Sequence, residues 1–171
     1  MCKRNNGYKM CLDYISKNYS VRVVESNELE KLNPLFITKD NDLFLKARAE
    51  KIINRDMDIY VVEDDNKFIG EVTIYYNKKD YEDYTIPNKR VYMEALRVLK
   101  GYQGKGVGQY LLTEVIDKIK KQGYSEITIG VEDNNKKAKH IYSKYGFTEF
   151  IRRDHGDKYD PCDYNVYLKR L

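Results

Sequence analysis

The sequence has few cysteines and no long apolar segment. Its 171 residues include three cysteines, Cys2, Cys11 and Cys162, an odd number without C-x-x-C spacing, so they predict neither a disulfide framework nor a metal site. Nowhere do about twenty apolar residues follow one another, as a membrane-spanning helix requires. Residues 1–18 also lack the apolar core of a signal peptide. These absences favour a cytoplasmic protein with no membrane partner.

Charge of one sign is also lacking. The chain carries 31 lysines and arginines against 27 aspartates and glutamates, a net charge of +4. Such a mixed surface is weak evidence for a nucleic-acid partner, since a binder of this kind concentrates basic residues on one face. We therefore expect no nucleic acid, although a basic nucleic-acid binder remains an alternative that rests on composition alone.

The pattern of apolar residues predicts an α+β (mixed α/β) domain. Strand and helix signals alternate in the order strand, two helices, three strands, helix, strand, helix, two strands. This predicts a central, mostly antiparallel, twisted sheet of about six or seven strands with about four helices. The helix between the strands near Val91 and Val131 is long enough for a crossover, so that pair should be parallel. We expect residues 1–18 to form an N-terminal extension and residues 19–171 a single domain.

Four glycines lie at and just before the start of the best-defined helix, in "GYQGKGVGQYLL" from Gly101 to Leu112. The helix signal is an apolar face formed by Val107, Leu111, Leu112, Val115, Ile116 and Ile119. The first N–H groups of a helix have no partner inside it, and the helix dipole makes that end partly positive. Glycines there would let several amides converge on one anion, as phosphate-binding loops do.

Two common phosphate loops do not match this spelling. A Walker loop needs G-x-x-x-x-G-K-[ST], but Gly106 follows Lys105. The dinucleotide fingerprint G-x-G-x-x-G fails because the chain reads Gly104-x-Gly106-x-Gly108. Nucleotide hydrolysis and dinucleotide binding are both disfavoured.

Two segments in order resemble the signatures of the GNAT family of N-acetyltransferases. The first is Gln-x-x-Gly-x-Gly, beginning at Gln103 after a strand carrying "LRV"; the second is "VEDNNKKAKHIYSKYGF". The family places in the second segment are held by Asn135, Ala138, Tyr142, Gly146 and Phe147. Together the two signatures cover roughly residues 90–150, separated by a helix and a strand as in the family. The resemblance implies a GNAT-like sheet whose parallel strands splay apart, and acetyl-CoA as the cosubstrate.

The resemblance also implies roles for particular residues. The backbone of Leu96 and Val98 would pair with the pantetheine arm, and Asn135 would contact that arm. The diphosphate would lie on the loop formed by Gln103, Gly104, Lys105, Gly106, Val107 and Gly108. Tyr142 matches the family's general acid. Glu94, four residues before Val98 and therefore on the same face of a regular strand, is the candidate general base; a bulge in this strand would change that parity.

The acceptor is not specified by these motifs, and protein amino-termini and free amino acids stay open alternatives. Acidic residues crowd two loops, "DYEDY" with Asp80, Glu82 and Asp83, and "DHGDKYDPCD" with Asp154, Asp157, Asp160 and Asp163. If those loops border the acceptor site, they favour a cationic amine in a small molecule or peptide; solvated loops are the alternative. The leading hypothesis is an acetyl-CoA-dependent N-acetyltransferase, a monomer or a homodimer. The alternative is a non-catalytic module that binds or senses acetyl-CoA or CoA.

Overall fold

The computed structural model describes residues 19–36, 42–78, 83–155 and 162–171. Its strands are β1 (Ser20–Val23), β2 (Met57–Asp64), β3 (Lys67–Tyr75), β4 (Arg90–Val98), β5 (Glu126–Glu132), β6 (Glu149–Asp154) and β7 (Tyr164–Arg170). Its α-helices are α1 (Asp42–Ile53), α2 (Val107–Lys121) and α3 (Lys136–Lys144), and 3₁₀ helices span Ser26–Leu35 and Lys100–Tyr102. The expected N-terminal extension, residues 1–18, lies outside the described residues.

The seven strands form one mixed sheet in the order β1-β2-β3-β4-β5-β7-β6. β4 and β5 are parallel, with register from Arg90↔Glu126 to Met93↔Ile129. The pairs β1 with β2, β5 with β7 and β6 with β7 are antiparallel. The predicted mostly antiparallel sheet is therefore confirmed, and so is the parallel pair that the crossover helix predicted.

The described residues divide into two compact units. The first comprises residues 19–36, 42–74 and 95–118, and the second residues 75–78, 83–94, 119–155 and 162–171. β4 contributes to both, because the division falls between Glu94 and Ala95. The single domain expected for residues 19–171 stays a prediction.

The apolar face expected for α2 is confirmed. Its six residues, Val107, Leu111, Leu112, Val115, Ile116 and Ile119, are all buried. In the turn between β2 and β3, Asp65 and Asn66 both adopt positive φ, at 45° and 64°. Such paired left-handed residues match the twist of a two-residue hairpin.

Two local features differ from what the residue pattern alone suggests. Ser26 and Asn27 are common N-cap types, but the first 3₁₀ helix begins after Glu25, whose amide donates to the Glu28 carboxylate at 3.3 Å. In β5, apolar and polar residues alternate as in a strand with one buried face, yet Glu126 and Thr128 are as buried as Ile127 and Ile129. Polar partners make this possible, since Arg90 holds Glu126 at 2.7 Å and the Thr128 hydroxyl donates to the Tyr84 carbonyl at 2.6 Å.

None of the described helices is both long enough and apolar enough to cross a membrane.

Candidate active site

The glycine loop, Gln103–Gly108, connects the second 3₁₀ helix to α2 in the first unit. Gly104 and Gly106 adopt φ of 75° and 87°, the left-handed region that residues with a Cβ rarely occupy. A Cβ built on Gly104 would meet nothing within 4 Å. The protein's own packing therefore does not require a bare backbone at Gly104, which leaves that surface open to a ligand.

Several amides of the glycine loop are available to a ligand. Among the described ranges, no acceptor is bonded to the backbone N–H of Gly104, Gly106, Val107 or Gly108. The Gln103 amide differs, because it donates to the Lys100 carbonyl at 3.4 Å. Unsatisfied N–H groups at a helix start attract anions, so the loop fits the diphosphate expected there.

The side chain of Gln103 fixes the loop against the end of β4. Its Nε2 donates to the Val98 carbonyl oxygen at 2.9 Å. A Cβ on Gly108 would lie 3.2 Å from Val98 Cγ2, so the start of α2 packs closely on the same residue. The glutamine of the first signature thus positions backbone, and one polar group of Val98 is already used. Leu96 and Val98 are half-buried, and their predicted pairing with pantetheine stays a prediction.

β4 is irregular at the residue after Glu94. Ala95 has φ of 59°, a left-handed conformation that interrupts the alternation of side chains along a strand. The expectation that Glu94 and Val98 share a face assumed regular alternation, and that assumption is wrong here. Glu94 as general base therefore needs support other than strand parity.

The Glu94 carboxylate forms an ion pair with Lys78 in the second unit. The Lys78 Nζ lies 2.8 Å from Glu94 Oε2, and the two side chains are 20% and 31% exposed. The same Nζ lies over the rings of Tyr92, Tyr75 and Tyr84, at 4.2, 4.9 and 5.4 Å from their centroids. We call these five residues the Lys78 cluster.

Tyr142 extends from α3 into a cleft of about 390 Å³ in the second unit. Its ring meets Phe147 edge-on at 5.9 Å, so two members of the second signature are in contact. Burial raises the pKa of the Tyr142 phenol to about 12. No described residue hydrogen-bonds to the hydroxyl. The phenol is thus protonated at neutral pH and has no protein acceptor in the described chain, as a proton donor to a ligand requires.

Asn135 is the N-cap of α3. Its Oδ1 accepts from the Ala138 amide at 3.0 Å, which explains the three-residue spacing of Asn and Ala in the second signature. The side-chain NH₂ is not used by that bond. Its predicted contact with the pantetheine arm stays a prediction, limited to this NH₂ and to backbone groups.

The described acidic residues of the two loops are engaged by partners within the protein. Asp154 accepts from the Tyr84 hydroxyl and pairs with Arg152. Asp163 pairs with Arg153 at 2.9 Å, and hydrogen bonds from Arg153 and His155 lower the pKa of Asp163. Asp80, Glu82, Asp157 and Asp160 lie outside the described residues. The acidic residues that are described there are thus largely neutralised by arginines.

Sequence reasoning missed the residues around Glu94. Tyr92 and Glu94 are two residues apart in β4, so their shared face was readable from strand alternation. Gly130 in β5 was a further signal, because a Cβ there would lie 2.9 Å from the Tyr92 hydroxyl. Lys78 and Tyr84 flank a polar loop, where no periodic pattern indicates which side chains converge.

The fold and the two signatures together define an N-acetyltransferase architecture, and comparisons with known proteins agree. The model of the acetyltransferase (GNAT) family matches residues 25–147. An uncharacterized N-acetyltransferase of Bacillus subtilis, YhfO, is 28% identical over 142 residues, covering 76% of this chain and 90% of that protein.

Solved structures share the fold at lower identity. The spermidine/spermine N-acetyltransferase SpeG from Vibrio cholerae superposes with a TM-score of 0.69 at 18% identity, covering 91% of this chain and 94% of that one. The PaiA N-acetyltransferase from Thermoplasma acidophilum, in complex with coenzyme A, gives a TM-score of 0.61 at 19% identity, covering 90% and 99%.

The chain belongs to the GNAT acetyltransferase family. It is accordingly an acetyl-CoA-dependent N-acetyltransferase, as the paired signatures implied.

Proposed function

We propose that the chain transfers the acetyl group of acetyl-CoA to a primary amine of a cationic small molecule or peptide. The donor side of this proposal rests on the unengaged amides in the glycine loop, which suit the diphosphate of acetyl-CoA. The acceptor side rests on the partly exposed Glu94 carboxylate, which already accepts a hydrogen bond from an ammonium group. When bound, acetyl-CoA supplies an activated acetyl thioester. The residues proposed to hold it are Leu96, Val98, Gln103, Gly104, Lys105, Gly106, Val107, Gly108 and Asn135.

Glu94 is the proposed general base. An amine attacks a carbonyl only when it is neutral, so a base must take a proton from the ammonium form. The Glu94 carboxylate is partly exposed and already accepts a hydrogen bond from one ammonium group, that of Lys78. This contact supports a role for Glu94 in receiving an amine proton, directly or through water.

Tyr142 is the proposed acid. Its phenol has a pKa of about 12, whereas an ordinary thiol has a pKa of about 8.5, so complete proton transfer to a free thiolate would be uphill. The hydroxyl therefore acts by donating a hydrogen bond to the sulfur as charge develops there. The Val98 amide is the proposed donor to the carbonyl oxygen.

A turnover assay with an amine panel tests the proposal. Release of CoA thiol is followed with spermidine, an aminoglycoside, a lysine-containing peptide and a peptide with a free amino terminus. Saturable thiol release with a cationic amine, and accumulation of its acetylated product, are expected. Tight acetyl-CoA binding without turnover on any amine would instead favour the non-catalytic acetyl-CoA-binding module.

A further inference from the structure

The ammonium group of Lys78 lies in an environment built for a cation. Three tyrosine rings surround its Nζ, the nearest centroid at 4.2 Å, and Glu94 Oε2 lies at 2.8 Å. Aromatic faces carry partial negative charge and attract ammonium groups within about 6 Å, and a carboxylate adds a full opposite charge. Aromatic cages are used elsewhere to recognise ammonium ligands, so this combination of rings and carboxylate suits a site that binds amines.

The three tyrosine rings of the Lys78 cluster are held by contacts that do not depend on Lys78. Tyr84 and Tyr92 stack with centroids 4.4 Å apart, and all three rings are nearly buried, at 4% to 7% exposure. The Tyr84 hydroxyl donates to Asp154, and the Tyr92 hydroxyl occupies the space left by Gly130. The rings are therefore held in place by their own neighbours, and they should keep their arrangement when the lysine leaves.

The Lys78 side chain is less firmly held than the three tyrosine rings around it. The Lys78 side chain is 20% exposed, and its backbone lies three residues beyond the end of β3. Lysine side chains lose much rotamer freedom when they are held in one position. Among the described residues, the other charges at the cluster are Arg152, over the Tyr84 ring at 5.9 Å, and Asp154, on the Tyr84 hydroxyl. These two pair with each other, so Glu94 is the described carboxylate that balances the ammonium group.

We propose that the Lys78 cluster is the acceptor-amine subsite, and that Lys78 occupies it as an internal competitor until a substrate ammonium replaces it. This assignment of the substrate class, an aliphatic primary ammonium, rests on the proposed acetyl transfer with Glu94 as base. In the protein without substrate, the Lys78 ammonium neutralises Glu94 and fills the space between the three tyrosine rings. An acceptor that displaces the lysine brings its own amine to the carboxylate that would take its proton.

The test removes the occupant and supplies its side chain as a free molecule. Lys78→Ala deletes a butylammonium-shaped group, and n-butylammonium chloride should refill the space. We expect the melting temperature of Lys78→Ala to rise by about 2 to 4 °C at about five times the Kd of the probe. Wild-type protein should show less than half of that rise, because its own lysine competes.

Matched controls distinguish binding at the Lys78 cluster from the effect of ionic strength and from the effect of removing any surface lysine. n-Butanol has the same chain without the charge and should give no saturable rise, and sodium chloride matches the ionic strength. Lys89→Ala removes a lysine paired with Glu126 at 3.4 Å, with no aromatic ring against it among the described residues; it should not gain a response. Lys78→Met fills the space without charge and should not respond either. In Lys78→Ala/Glu94→Gln the rise should fall by at least half.

Equal responses of wild type, Lys89→Ala and Lys78→Ala to n-butylammonium would overturn the proposal. If Lys78→Ala folds poorly, the refolding yield with and without n-butylammonium gives the same test, with an unchanged yield counting against the proposal. Product analysis with acetyl-CoA then separates the two ideas. Binding of n-butylammonium without formation of N-butylacetamide supports the ammonium site and counts against the proposed activity. Formation of N-butylacetamide without any binding response at the Lys78 cluster overturns the proposed subsite but is consistent with the proposed activity.

Discussion

The glycine loop and the Lys78 cluster are suited to opposite charges by different means. In the loop, left-handed glycines and a helix start leave amides unengaged, so the proposed binding groups belong to the backbone. In the cluster, three tyrosine rings and Glu94 surround an ammonium group, so the proposed binding groups are side chains. A backbone site should tolerate side-chain changes that keep its conformation, whereas a side-chain site should respond to the loss of single atoms. Loop variants should therefore change acetyl-CoA affinity, and variants of Glu94 and Tyr142 should change rate.

The largest effect is expected for Tyr142→Phe. Loss of a proton donor used in the transition state should lower kcat by about 100-fold or more. Because no described residue bonds to the hydroxyl, the acetyl-CoA Kd and the melting temperature should change little. Steady-state kinetics with equilibrium titration of acetyl-CoA check this split. Tyr167 lines the same cleft, and Tyr167→Phe should cost less than about threefold; equal losses in both variants would argue against the acid role.

Glu94→Gln should come next. We expect kcat/KM to fall by about 10- to 100-fold at neutral pH, because the amide cannot take the amine proton. Steady-state kinetics with the acceptor varied check this. A rise in the acceptor KM with kcat unchanged would indicate that Glu94 only positions Lys78 or the acceptor.

Gly104→Ala tests the backbone side of the comparison. A Cβ at φ of 75° is strained although nothing lies within 4 Å, so the free energy of unfolding should fall by about 1 kcal/mol. The acetyl-CoA Kd should rise about tenfold, because the amides lose their arrangement and charge-assisted hydrogen bonds to phosphate are strong.

Gly123 provides the matched control for that change. It follows α2 with φ of 93° and also has no atom within 4 Å of an added Cβ. Gly123→Ala should destabilise the protein by a similar amount while leaving the acetyl-CoA Kd within about twofold. If both variants weaken acetyl-CoA binding alike, the effect is general strain and the loop has no special part in binding.

The smallest effect is expected at Asn135, where capping and cofactor contact can be separated. Asn135→Ala should lower the free energy of unfolding by about 1 kcal/mol, whereas Asn135→Ser keeps an N-cap acceptor and should cost a few tenths. If the side-chain NH₂ contacts the pantetheine arm, both variants should weaken acetyl-CoA binding by about threefold. Weakening by the alanine variant alone would mean that Asn135 acts through α3.

The sequence predicted well what depends on backbone periodicity. The apolar face of α2 follows from helical spacing, and the parallel pair of β4 and β5 follows from the length of the helix between them. The positive φ of Ala95 was not predictable, because alanine carries no preference for that conformation. The Lys78 cluster was also missed, since its rings come from two strands and a loop whose closure no local pattern specifies.

A crystal structure with acetyl-CoA tests the central claim most directly. The amides of Gly104, Gly106, Val107 and Gly108 should lie within hydrogen-bond distance, about 2.7 to 3.2 Å, of diphosphate oxygens. A diphosphate bound elsewhere, with these four amides facing water or bonded to the protein's own carbonyls, would contradict it.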